Sequence, residues 1–294
     1  MLSIESIRKN IRSAEDLRDI VKTMRTLAAV NIHHFEQAVR SLGDYYRSIE
    51  MGFQVVLKDG TMSALEQGST KGGTYYIVFG TDQGLCGGFN DQIADYASSE
   101  ISKEKRAAEH DVLVCMGERA RASLEERKLD VTDVYPLPGG LPGITLSVQQ
   151  TVMNITDLQM KGEISRVALF YHKLTSQITY HPQTVILLPI DRAWTDSIQK
   201  KKWPTHVLPA FTIERENLFS ALFRQYIFVS LFRAFAESMA SENAARLMSM
   251  QSAEKNIEER LDELNAFYRS ERQNAITSEL LDIVSGFEAL REEV

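Results

Sequence analysis

The chain has 294 residues, 33 Lys and Arg against 40 Asp and Glu, a net charge of −7 and an apolar fraction of 44%, enough for a sizeable buried core. The acidic balance argues against nucleic acid as the main partner, because phosphate binding rests on Lys and Arg. No uninterrupted apolar run approaches the roughly 18–20 residues of a membrane span, and two cysteines, Cys86 and Cys115, are too few for a disulfide framework.

The first eight residues begin an amphipathic pattern without the apolar core of a secretory leader, and Glu5, Glu15, Asp16 and Asp19 are unlike an acid-poor transit peptide. A cytosolic setting is expected. Ile4, Ile7, Ile11 and Ala14, then Leu17, Val21, Met24 and Ala28, then Phe35, Val39, Leu42, Tyr46, Ile49 and Phe53 recur at three- and four-residue spacing. That is the seam of a coiled coil, with slips near Leu17 and Ile32. It predicts a helix from Ser3 to about Leu57, roughly 80 Å long.

In the middle, Thr74 to Phe79 reads as a buried strand, followed by a Gly-rich turn and a helix from about Asn90 to Ala108. Val112 to Met116 reads as a second strand, Glu118 to Arg127 and Val148 to Leu158 as helices, and Arg166 to Leu174 and Thr184 to Pro189 as strands. Such alternation predicts an α/β domain around a mostly parallel sheet. All seven prolines lie between Pro136 and Pro209, and neither Gly nor Pro occurs from Ala210 to Ser285. There Leu247, Met250, Ile257, Leu261, Leu264, Tyr268, Ala275 and Ile283 form a heptad-like stripe, predicting a helix over Thr212 to Leu290, about 115 Å if unbroken. The two terminal helices are expected to pair antiparallel. From Gln251 onward eleven acids face five bases, so six of the seven net negative charges belong to this last helix.

The turn Gly80-Thr81-Asp82-Gln83-Gly84-Leu85-Cys86-Gly87-Gly88-Phe89-Asn90 stands between strand and helix, where phosphate cradles occur. It lacks both the G-x-G-x-x-G spacing and the Lys-Ser/Thr of a P-loop, so close backbone packing is the favoured reading, with Gly80 and Gly84 supplying positive φ. Cys86 has no His near it in sequence to serve as a base. His33, His34, His110, His172, His181 and His206 show no metal-ligand spacing. No catalytic, cofactor or metal site is expected. Lys200-Lys201-Lys202-Trp203 reads either as a contact to an anionic surface or, more commonly, as a solvated connector. The aromatic face of Phe219, Phe223, Tyr226, Phe228, Phe232 and Phe235 reads as core, where the last helix lies on the α/β domain.

Three stretches carry a resemblance. They are Ile20 to Ala29 (with Met24 and Arg25) in the first helix, Thr81 to Asn90 after the first strand, and, in the last helix, Met239 to Leu247 with Arg272 to Gly286. Together they resemble the gamma subunit of F-type ATP synthases. The resemblance implies an α/β domain, Rossmann-like with a mostly parallel sheet, inserted between two long terminal helices that form an antiparallel coiled coil. The expected division is 1–57 and 210–290 for the helices and 70–205 for the α/β foot.

It also implies a non-catalytic rotor shaft without a cofactor, set in a hexamer of alpha and beta subunits. The foot would lie against the epsilon subunit and the membrane c-ring, on the cytoplasmic face of a bacterial or archaeal membrane. By matching position, Met24, Arg25 and Arg246 would pass the moving lobe of a beta subunit. Arg272 and Gln273, with Thr277 and Glu279 beside them, would meet its catch loop. The sequence departs from the family at Gln83, usually Arg or Lys, at Asn274, usually small, and over the Pro- and Gly-rich stretch Tyr135 to Leu146, as in a divergent branch. The rival readings are an α/β nucleotide-binding enzyme flanked by helices, with its ligand at the Gly80 to Asn90 turn, and a coiled-coil scaffold that carries no torque.

Overall fold

A computed structural model describes residues 4–57, 72–103, 111–176, 178–204, 206 and 211–292, without the side chains of Arg192 and of 286–292. In chain order the elements are α1 (Ile4–Val56), β1 (Gly73–Phe79), α2 (Phe89–Lys103), β2 (Val112–Met116), α3 (Glu118–Glu126), β3 (Asp133–Tyr135), α4 (Leu141–Met160), β4 (Ile164–Leu174), β5 (Tyr180–Leu188), α5 (Arg192–Lys200) and α6 (Arg215–Glu292). Residues 104–108 of the helix expected after the Gly-rich turn lie outside the described residues. Two compact units result: Met1–Leu27 with Leu247–Val294, and Ala28–Arg246.

The larger unit is built on a five-stranded sheet in the order β3-β2-β1-β4-β5. β1 pairs parallel with β2 and β4, and β2 with β3, while β5 runs antiparallel to β4 along one edge. Gly-Thr-Tyr-Tyr-Ile-Val-Phe is buried along its whole length, as a strand covered on both faces must be. Alternation sorts its side chains. Tyr76 and Val78 face a layer with Ile93, Ala94 and Ala97 of α2 and Ala120 and Leu124 of α3. Tyr75, Ile77 and Phe79 face α4, α1 and α6.

On that second face the aromatic stretch of α6 is core. Phe235 stands edge-on to Phe79 with ring centroids 4.8 Å apart, and Phe219 and Tyr226 meet Phe53 of α1 at 5.6 and 6.2 Å. Gly52 lets α1 come close to α6, since a Cβ there would lie 2.6 Å from Leu222 Cδ2. By length and hydropathy alone α6 contains a stretch apolar enough to cross a membrane, although polar residues interrupt it. Its Ile227, Val229, Leu231, Ala234 and Phe235 are buried in this core.

Three local features depart from expectation. α4 starts at Leu141, seven residues before the predicted Val148, because Pro142 sits in the first turn, where no N–H is needed. β3 has only three residues, too few to show a period. α5 was not expected; Asp191 caps it by accepting from the Ala193 N–H at 2.9 Å.

His172, near the end of β4, is fully buried against Phe89, ring centroids 4.2 Å apart, and neither ring nitrogen has a hydrogen-bond partner. Burial, with a lesser push from His181, lowers its pKa to about 3. The folded protein therefore holds His172 neutral while the unfolded chain protonates it below about pH 6.5. Stability should be flat above pH 7 and fall as the pH drops from about 6.5, by up to about 1.4 kcal/mol per pH unit from this residue. Urea unfolding of wild type and His172→Phe between pH 4.5 and 7.5 checks this; the variant should lose that part of the slope.

Candidate functional site

The Gly-rich turn sits on the C-terminal edge of the sheet, with Thr81 buried, Asp82 and Asn90 half-buried and Gln83 exposed. The Asp82 carboxylate accepts from two backbone amides, Glu118 N at 2.9 Å through Oδ1 and Leu137 N at 2.7 Å through Oδ2. It thereby ties the segment after β1 to the segments after β2 and β3. Thr81 is fully buried, and its hydroxyl accepts from Asn90 Nδ2 at 2.9 Å. Gly80 packs so closely on α3 that a Cβ would lie 2.1 Å from Ala120 Cβ.

Close packing is thus the reason for Gly80, whereas the positive φ expected at Gly80 and Gly84 is found at Leu85 (65°), Gly87 (59°) and Gly117 (108°) instead. Gly117 must stay a glycine for two reasons, its φ and the 2.7 Å that would separate its Cβ from Thr81 N. Cys86 is 3% exposed, and burial pushes its thiol up. Cys115 is pushed up to about 12 by burial, then by Glu118 and Asp82. Both stay protonated thiols, which are poor nucleophiles.

In open α/β sheets a ligand binds at the carboxyl ends of the strands, where the strand order reverses. Here that crevice lies between β1 and β4, and α6 occupies it. Ser241 Oγ donates within 3.0 Å of the His172 carbonyl, and Ala245 packs on Cys86 and Phe89. At Ser241 and Ala245, α6 thus covers part of the crevice that the rival enzyme reading needs.

The predicted contact residues fall in different surroundings. In the smaller unit, Met24 and Arg25 are half-buried, and Arg25 Nη1 meets Glu254 Oε2 at 2.5 Å. Arg8 donates to the Tyr268 hydroxyl at 2.7 Å and stands 5.7 Å from its ring. As α1 runs from Arg8 to Arg25, α6 runs back from Tyr268 to Glu254, so the pairing is antiparallel, with Ile7, Val21, Met250 and Leu261 buried. Arg272, Gln273, Thr277 and Glu279 are exposed, among exposed apolar neighbours Ile276, Leu280, Leu281, Ile283 and Val284 at 49–61%.

Arg246 belongs to the larger unit and is 9% exposed. Its Nη2 meets Glu242 Oε1 at 2.6 Å, while its Nε has no partner. Burial raises the Glu242 pKa against the pull of Arg246. The pair borders a cavity of about 540 Å³ with Asn31, Asp82, Gln83 and the Pro-Gly segment 137–142. Sequence reading missed Glu254, Glu242 and Asp82 as partners. An antiparallel register propagated from Arg8 and Tyr268 puts Arg25 opposite Gln251, about one turn from Glu254.

This arrangement of sheet and paired helices is the fold of an ATP synthase central stalk. It is similar to a chain of the Euglena gracilis mitochondrial ATP synthase (OSCP/F1/c-ring, rotational state 3), with a TM-score of 0.62 and 15% identity over 98% of this chain and 94% of that one. A family model described as ATP synthase matches residues 3–290, and the chain belongs to that family, among its gamma chains. It is 30% identical to the ATP synthase gamma chain of Desulforamulus reducens over 294 residues, 99% of this chain and 100% of the relative. It is likewise 30% identical to that of Clostridium pasteurianum over 290 residues, 97% of each. The chain is thus a non-catalytic rotor subunit of the membrane-associated synthase.

Asp82→Ala removes the acceptor for two amides at once. It should lower the stability of the chain by about 1–3 kcal/mol, read as a lower urea midpoint with an unchanged slope, and Asp82→Asn should cost less because one carbonyl oxygen remains.

Proposed function

We propose that this chain transmits torque between a membrane c-ring and a catalytic hexamer of alpha and beta subunits, coupling ion flow to ATP synthesis or hydrolysis. The paired terminal helices, 1–57 and 210–290, act as the shaft. The segment 70–205 acts as the foot, against the epsilon subunit and the c-ring, on the cytoplasmic face of a bacterial or archaeal membrane. The observation that carries this reading is the family match over residues 3–290.

Met24, Arg25, Arg246, Arg272, Gln273, Thr277 and Glu279 are the proposed contacts to beta subunits. The exposed Arg272 and Gln273 suit a polar catch, Arg272 as a charge-assisted donor to a loop carboxylate. The apolar side chains from Ile276 to Val284 are too many to face water without a partner, and a surrounding ring of subunits supplies one. Arg25 acts while tied to Glu254, and Arg246 from within its buried pair, so each shapes and stiffens its own stretch of helix. Torque also needs the helices fixed to the foot. Phe235 on Phe79 and Ser241 on the His172 carbonyl do that within the larger unit.

Reconstitution with cognate alpha and beta subunits tests the proposal: a probe on the α/β domain should rotate during ATP hydrolysis. A hexamer that assembles and hydrolyses ATP while the probe stays still would refute torque transfer. Within that system Arg272→Ala should lower coupled ATP synthesis several-fold, by analogy with the roughly 1.5–3 kcal/mol of a charged hydrogen bond, whereas Arg291→Ala should not. Equal losses in the two variants would remove Arg272 from the catch.

A further inference from the structure

The lysine run after Gln199 has no part in the rotor contacts above. Lys200 ends α5, and the following Lys201 and Lys202 line an open groove of about 490 Å³ together with Arg47, Glu50 and Gln54. The groove is held on a fixed frame. Gln54 Nε2 donates to the Lys201 carbonyl, Gln199 Nε2 donates to the Leu57 carbonyl at 3.0 Å, and Ile198 beneath is 1% exposed.

Three cations therefore line the groove against one carboxylate. Glu50 is taken by Lys201, Nζ to Oε2 at 2.7 Å. Arg47 and Lys202 are exposed, and neither enters an ion pair among the described residues. Lysines at a helix C-terminus complement its dipole, which accounts for Lys200. It does not account for Arg47, which comes from α1 and lines the same groove. A guanidinium fork beside ammonium groups fits the oxygens of a phosphate.

We propose that this groove binds a phosphate-bearing anion, with Arg47 and Lys202 as the principal ligands and Lys201 as the residue that neutralises Glu50. The anion is a phospholipid headgroup or a soluble phosphate, two sources with the same chemistry. In a chain with a net charge of −7, such attraction is local and salt-sensitive.

The full chain should be tested by sedimentation with vesicles of phosphatidylcholine alone and of phosphatidylcholine with phosphatidylglycerol, and by titration with inorganic phosphate, each at low and high salt. Binding to the anionic vesicles that phosphate does not displace assigns the headgroup. Saturable binding of phosphate itself assigns the soluble ligand. Each cation near an anionic surface is worth about five-fold in affinity, so Arg47→Gln with Lys202→Gln should weaken binding roughly 25-fold. Arg47→Lys with Lys202→Arg should keep most of it, which separates lost charge from lost fold. Lys103→Gln with Arg121→Gln, an equal charge change on α2 and α3, should bind as wild type. Absence of salt-dependent binding to both vesicles and phosphate, or equal loss in the two Gln pairs, overturns the proposal. Because binding is read on the chain alone, that failure leaves the rotor function standing.

Discussion

The structure of the larger unit depends on how closely α6 can approach the carboxyl edge of the sheet. Along 240–245 the helix presents Ala240, Ser241, Ala244 and Ala245, all nearly or fully buried. Small side chains bring the helix axis near enough for Ser241 to donate to the His172 carbonyl and for Ala245 to touch Cys86 and Phe89. A large residue at Ala244 or Ala245 would overpack the contact, which costs about 1–3 kcal/mol in a tight core. The seat is equally fixed from below, because Gly80 admits Ala120 and Asp82 holds two neighbouring segments by their amides.

That seat also takes up part of the place where an α/β sheet of this order would receive a ligand. A doubly wound sheet offers its binding crevice at the reversal of strand order, and here the reversal is spent on anchoring a helix. The Gly-rich turn keeps the location of a phosphate cradle, but Gly80 serves packing and Gly87 a positive φ, and Asp82, an anion, already accepts from the amides of Glu118 and Leu137. His172 fits the same account. A neutral, unpartnered imidazole is tolerated in the apolar seat because it fills space against Phe89 and Tyr180, and the cost appears only when protons compete.

Much of the fold was legible in the residues. The continuous apolar run Tyr75 to Phe79 and the Gly- and Pro-free stretch after Ala210 declare a buried strand and a long helix by period and composition. Short elements were not: β3 is below one full alternation, and α5 shows itself only through the Asp191 cap. The first turns of α4 were not expected, because a proline in the first turn of a helix and one in a loop look alike in sequence. The proposed contact residues rest on resemblance alone. Arg25 and Arg272 are both arginines on a helix, yet one is committed to Glu254 and the other is exposed, and nothing local in sequence distinguishes them. Partners separated by 229 residues are settled by helix register, which the slips in the heptad blur.

The smaller unit shows what that register demands. The apolar contacts of the pair, such as Ile7, Val21, Met250 and Leu261, are non-directional and would tolerate a slide by one turn. Arg8 on Tyr268 and Arg25 on Glu254 would not, since each places a fork-shaped or ring-facing donor on one partner only. Exposed pairs of this kind add little stability, with a median of about 0–1 kcal/mol. Their value lies in specificity: a slipped register would leave the half-buried Arg25 and the mostly buried Glu254 without each other. A shaft made only of leucines would be at least as stable and less well defined, and torque requires definition, because each face must stay in phase with the domain that turns it.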